Sequence, residues 1–140
     1  MNFRIYSAAM ATFIVCGLTM DRTVEAAGPL DGQWRFDISV IAGSSPVPFT
    51  PPGNVFSITQ SQVNSGLQGQ NTPQTGAPLV SFNGVQDGLF ISGTEVCGMP
   101  RNSFGAFRGI SFGLFVPSIY MIWADSKGVY YIQGTKLAGN

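Results

Sequence analysis

The chain contains no histidine at all, and only two cysteines. Those absences remove whole classes of chemistry. There can be no histidine-based nucleophile triad, no HExxH helix and no Cys/His zinc spacing. Charge is scarce too, at 10% of residues, with seven basic side chains balanced by seven acidic ones. The few carboxylates form no distinctive pair or motif, and no glycine-rich phosphate loop leads into a helix. The expectation is therefore of a protein that is not an enzyme, with no catalytic residue, no metal and no cofactor to assign. Helical periodicity is also missing: beyond the first 27 residues no stretch sustains apolar residues three and four apart.

What is present begins with an export pattern. Arg4 is followed by an uncharged, mostly apolar run, Ile5 to Met20, and Val24-Glu25-Ala26 places modest or small residues where a signal peptidase cuts. The apolar run is shorter than the roughly 20 residues that a membrane-crossing helix needs, and Asp21-Arg22 closes it. Residues 1–27 are thus expected to be a cleaved secretory signal, and residues 28–140 a single domain in a secreted or periplasmic protein. Cleavage removes Arg4, Arg22, Asp21 and Glu25 and leaves the remainder at zero net charge. Such a surface offers no stripe for nucleic acid and, once the signal is gone, no membrane span. It also opposes self-association weakly, so a homo-oligomer is an expected partner state. Cys16 leaves with the signal, so Cys97 has no partner for an intrachain disulfide and is expected to be a buried, quiet thiol.

The mature chain is patterned in twos. Trp34, Phe36, Ile38 and Val40 alternate with Gln33, Arg35, Asp37 and Ser39, the period of a strand with one buried face. A proline-rich loop follows, with Pro46, Pro48, Pro51 and Pro52; within it Val47 and Phe49 are candidates for a lid. Alternation resumes at Val55-Phe56-Ser57-Ile58-Thr59, and Gly66 to Gln70 returns as a weak strand. Asn83-Gly84 and Asp87-Gly88 both suit a tight hairpin turn, and one of them joins the strands on either side. Gly93 to Phe104 reads as an irregular connection that carries Glu95, Cys97, Met99, Arg101 and Asn102. No base is available there to activate the thiol, so a connecting loop is the reading. Ala106 to Val116 sets Ile110, Phe112, Leu114 and Val116 against Gly109, Ser111 and Gly113, with the first set expected to face inward. Ile119 to Ala124 and Val129 to Leu137 flank the turn Asp125-Ser126-Lys127-Gly128.

About eight strand-like segments with short connections point to an all-β, antiparallel meander barrel, with a two-sheet β-sandwich as the alternative. The Gly32-x-Trp34 opening, together with Val55 to Thr59 and Gly66-Leu67-Gln68-Gly69, resembles the start of lipocalin and avidin-like (calycin) small barrels. That resemblance implies a barrel in which a basic residue of the last strand, here Lys136, packs over the tryptophan. The lipocalin Thr-Asp-Tyr turn motif is missing, and neither family's ligand is carried over.

Two functional expectations follow. One is a binding protein holding a small apolar or aromatic molecule near one barrel mouth, with Trp34, Phe49, Phe56, Phe112 and Trp123 as the ligand-binding residues. The other is an exported interaction protein, an inhibitor or a self-assembling surface component, that acts through its outer face and loops. Tyr120, Ile122, Tyr130 and Ile132 are expected to supply that face.

Overall fold

The computed structural model describes residues 28–44, 54–73, 75–113 and 116–139. Eight antiparallel strands follow one another around a closed barrel: β1 (Gly32–Gly43), β2 (Val55–Gln60), β3 (Gly66–Asn71), β4 (Val80–Asp87), β5 (Phe90–Cys97), β6 (Ser103–Phe112), β7 (Ser118–Asp125) and β8 (Gly128–Lys136). β1 closes the barrel by pairing on both sides. Gly32 to Arg35 face β2, while Trp34 to Gly43 run beside β8, with the register shifting between Val40 and Ala42. Closure removes the two unpaired edges that a sheet of this length would otherwise expose. The expected signal, residues 1–27, and the expected Val47-Phe49 lid lie outside the described residues.

The pleat assigns the interior. Trp34 and Phe36 of β1, Phe56 and Ile58 of β2, Phe82 of β4, Phe107 of β6, Ile119, Met121 and Trp123 of β7, and Tyr130 and Ile132 of β8 are all buried. Four phenylalanines form a continuous stack, with ring centroids 4.7 Å apart for Phe36–Phe56, 6.1 Å for Phe56–Phe82 and 5.6 Å for the edge-on Phe82–Phe107 pair. Room for the rings comes from glycines on the same inward face. A Cβ added at Gly69 would lie 2.2 Å from the Phe82 ring, and one at Gly134 would lie 2.5 Å from Phe36. The rings of neighbouring strands occupy the volume that these glycines leave.

The end of the barrel that holds the chain's first described residues is sealed by local hydrogen bonds. The Trp34 indole N–H donates to the Leu30 carbonyl at 2.8 Å, and the Leu30 N–H donates to Gln60 Oε1 at 3.0 Å. Lys136, directly beside Trp34 in the β1–β8 register, donates from Nζ to the Pro29 carbonyl at 3.0 Å. At the opposite end the β3–β4, β5–β6 and β7–β8 connections meet.

Three expectations need correction, and one open choice is resolved. Gly93 to Cys97 is no loop: it pairs with β4 and β6 along its length, because Ile91, Gly93, Glu95 and Cys97 form a regular inward row. Of the two candidate dipeptides, Asp87-Gly88 makes the hairpin turn, where Gly88 has φ +60°, and Asn83-Gly84 sits inside β4. β6 is turned the other way from the expectation: Phe107, Gly109 and Ser111 face in, and Ile110 and Phe112 face out. Tyr130 and Ile132 are interior residues, so the outer face beside Tyr120 and Ile122 is completed by Tyr131.

The ring-and-glycine fit carries an expected outcome. Gly69→Ala should lower the unfolding free energy by about 1 to 3 kcal/mol, the usual cost of overpacking. Phe82→Leu should be less costly in that background than in the parent, with a coupling of at least about 0.5 kcal/mol in a double-mutant cycle from urea denaturation.

Candidate functional site

The chain's polar chemistry converges at the end where the β5–β6 and β7–β8 connections meet. Glu95 and Cys97 point inward from the end of β5, Asp125 closes β7, Ser103 opens β6 and Tyr130 lies near the start of β8. Arg101, from the loop between β5 and β6, lays its guanidinium into this mouth. It makes a two-pronged contact with Asp125 (Nε to Oδ2 3.1 Å, Nη2 to Oδ2 2.9 Å), donates to the Tyr130 hydroxyl, and sits 5.1 Å from the Tyr130 ring centre. The Ser103 hydroxyl donates to Asp125 Oδ2 at 2.8 Å. Backbone N–H groups of Lys127 and Gly128 donate to its Oδ1 at 2.7 and 2.9 Å, so one carboxylate holds both the arginine and the β7–β8 turn.

The pair is almost wholly out of water, the two side chains being 7% and 3% exposed. Burial alone would push Asp125 up, yet the Lys127 N–H, Ser103 and Arg101 outweigh it and hold the carboxyl below its ordinary range. Burial likewise opposes the charge on Arg101, but its bonds to Asp125 and Tyr130 prevail and raise its pKa. Satisfied on nearly every side, this is the arrangement in which a buried ion pair is tolerated.

Glu95 is the contrast. It is 1% exposed, and among the described residues neither carboxylate oxygen has a hydrogen-bond partner of good geometry. Burial pushes its pKa from 4.5 to about 7; the Trp123 side chain and Arg101 favour the charged form, while Asp125 opposes it. Beside it Cys97 is buried, and burial together with the Glu95 charge pushes its thiol up to about 11. That is an inert thiol. Ile38, Val80, Glu95, Cys97, Arg101, Trp123, Asp125, Tyr130 and Ile132 enclose a cavity of about 20 Å³, enough for one water-sized group. A second void, of about 10 Å³, lies among the phenylalanines.

The five residues expected to bind a ligand are dispersed. Trp34 and Phe56 are fully buried toward the sealed end; Trp123 lines the mouth cavity; Phe112 is on the outer wall, half exposed and stacked on Tyr120 with 5.4 Å between ring centres; Phe49 lies outside the described residues. Residues missed as a site are Glu95, Arg101, Asp125 and Tyr130. One signal was legible: on the row Ile91, Gly93, Glu95, Cys97 a lone acid shares the face of buried residues.

No family model, curated protein or solved structure matches the chain. The functional reading therefore rests on geometry.

A second surface stands out by its composition. Outside β2, β3 and β4 the wall carries Ser57, Thr59, Gln68, Gln70, Ser81 and Asn83, which border shallow grooves of about 360 and 340 Å³. Outside β5 to β8 it carries Phe90, Val96, Phe104, Ile110, Phe112 and Ile122, with Tyr120 and Tyr131 stacked 6.5 Å apart. Phe104 is 74% exposed and Phe90 66%. Cross-strand register joins these residues into rows: Phe90, Ile110 and Tyr120 in one, Arg108, Ile122 and Tyr131 in the next.

Two outcomes are expected here. Glu95 has a folded pKa of about 7, above its ordinary 4.5, so the folded state holds the proton more tightly than the unfolded chain. Its contribution is complete below pH 4.5 and is lost as pH rises through about 7. Asp125 runs oppositely, contributing above 3.8 and losing its contribution as pH falls through its lowered folded value. Unfolding free energy should thus peak in mildly acidic buffer and fall by about 3 kcal/mol toward pH 8, and Glu95→Gln should abolish that alkaline decline, with Cys97, Arg101, Asp125 and Tyr130 unchanged around it. Separately, a thiol reagent should label Cys97 on the order of 100-fold more slowly in the native protein than in urea.

Proposed function

We propose that this chain is an exported β-barrel that works as an interaction protein, and that the outer wall of β5 to β8 docks on the same wall of a second copy. The observation that carries the reading is the division of the outer surface into a polar β2–β4 side and an apolar, aromatic β5–β8 side. Contiguous apolar patches on soluble proteins usually mark contact surfaces. A broad, gently twisted sheet face packs well on another sheet, and a two-fold axis makes one face complementary to itself.

Charge agrees with a second copy as the occupant. Zero net charge after removal of residues 1–27 leaves no long-range repulsion between copies, and Arg108 is the one charged side chain among the outward rows of β6 and β7. The polar β2–β4 wall argues against lipid as the occupant, because a membrane barrel needs an apolar band all the way round. The other expectation, a small apolar molecule held inside, has less support, since voids of about 20 and 10 Å³ leave it little room among the described residues.

Sedimentation velocity from roughly 1 to 100 μM, the span in which standard interfaces of moderate affinity assemble, tests the reading. The mature protein should sediment as a dimer or higher oligomer. Ile122→Lys, at the middle of the wall, should raise the dissociation constant about 30-fold, the effect of losing a central anchor worth about 2 kcal/mol. A monomer throughout that range would overturn the proposal.

A further inference from the structure

The mouth cluster holds an unbalanced charge. Asp125 and Arg101 neutralise one another, and three of the cluster's donors are committed away from Glu95: the guanidinium to Asp125 and Tyr130, the Ser103 hydroxyl to Asp125, and the Tyr130 hydroxyl to the Ser44 carbonyl at 3.0 Å. Among the described residues the Trp123 side chain alone approaches Glu95 as a donor. Among the described residues neither Glu95 oxygen has a hydrogen bond of good geometry, and 99% of the residue's surface is buried. Next to it lies a cavity of about 20 Å³. Aromatic side chains of Trp123 and Tyr130 line it, with Arg101, whose guanidinium is held on Asp125 and over the Tyr130 ring, and Ile38, Val80 and Ile132 supply apolar walls.

We propose that this cavity is a binding site for the primary ammonium group of a small amine, with Glu95 as its counter-ion and hydrogen-bond acceptor and Trp123 and Tyr130 as its aromatic walls. The three N–H donors of an ammonium match two carboxylate oxygens that have no hydrogen bond of good geometry among the described residues, and its single positive charge cancels the one negative charge that Arg101, paired with Asp125, leaves uncompensated. Size fits as well: an ammonium nitrogen occupies the space of a water molecule, and the cavity holds little more. An anionic ligand would meet both Glu95 and Asp125, and a neutral alcohol would leave the charge unbalanced. Below neutral pH a proton on Glu95 would take the ammonium's place, so the site is selective for amines only where Glu95 is ionised.

Methylammonium is the probe, with methanol as its neutral counterpart of similar size and sodium chloride as the ionic-strength control, each titrated into the mature protein at pH 8 while backbone amide NMR shifts of Glu95, Cys97 and Trp123 are followed. The expected result is a saturable change with one methylammonium per chain and a dissociation constant of about 10 mM, near the ceiling for a ligand of two heavy atoms. At pH 5 the same protein should bind more than tenfold more weakly, because the proton then occupies the carboxylate. Glu95→Gln, which keeps the shape and removes a buried charge, should weaken binding by a similar factor at pH 8. Equal shifts from methanol or sodium chloride, retained affinity in Glu95→Gln, no weakening at pH 5, or no saturable change up to roughly 100 mM, ten times that ceiling, would each overturn the proposal. The pH comparison uses unaltered protein, so it stands even if the variant folds poorly. None of these results bears on whether copies of the chain dock through their outer walls.

Discussion

Filling the inside of a closed eight-stranded barrel is the constraint on which the rest of this structure depends. The circumference is fixed once β1 pairs with both β2 and β8, and the enclosed space must then be matched by side-chain volume to within about a methyl group. The chain meets that demand unevenly, with some very large inward residues and some with no side chain. Phe82 lies over Gly69, Phe107 over Gly84 and Gly93, and Phe36 over Gly134. Each ring reaches across a neighbouring strand, so no single strand supplies its own filling. Such an interior is cooperative: the positions of Phe36, Phe82 and Phe107 are set by glycines elsewhere in the sequence.

At the mouth the demand is electrostatic. Carrying an ion pair into a protein costs several kcal/mol per ion unless its lone pairs and protons are met. Asp125 accepts from two backbone amides, a hydroxyl and a guanidinium, which is why the pair persists at only a few per cent exposure. Fixing Arg101 there also fixes the β5–β6 loop over the barrel end. Glu95, on the adjacent inward row, has none of these donors. A group so costly to bury, on the wall of a water-sized cavity, gives this end of the barrel its chemical character, while the sealed end around Trp34 is closed by neutral hydrogen bonds and by Lys136.

The outer wall follows from the same alternation. A strand that puts Phe107, Gly109 and Ser111 inside has no choice but to put Arg108, Ile110 and Phe112 outside. On β2 to β4 the outward positions are mostly polar, Val85 being the exposed apolar exception; on β5 to β8 they are largely apolar, and the aromatic run Phe112, Tyr120, Tyr131 crosses three strands. Inside and outside therefore differ less in hydrophobicity on that half of the barrel than on the other, which fits a wall that is covered in use.

The sequence by itself determined the class of fold, a count of about eight strands and the inward faces of β1 and β2, because in those strands apolar and polar residues alternate and period two has one reading; in β8, where Tyr130 to Ile132 are apolar on both faces, it turned Tyr130 and Ile132 the wrong way. It also determined that Trp34 and Cys97 would be buried. It did not determine the facing of β6, where large apolar residues alternate with glycine and serine. Taken alone, hydrophobicity turns Ile110 and Phe112 inward. Only the tertiary structure shows that Gly105 lies against the β7 backbone and Gly109 against Met121, so that the small face is the inner one. Nor could local pattern place Arg101 on Asp125 across 24 residues of chain, or show Glu95 left beside them with no well-formed hydrogen bond among the described residues. Alternation is a property of neighbouring residues and is written in the sequence; the partner of a buried charge is set by which strand ends the closed barrel brings to the same mouth.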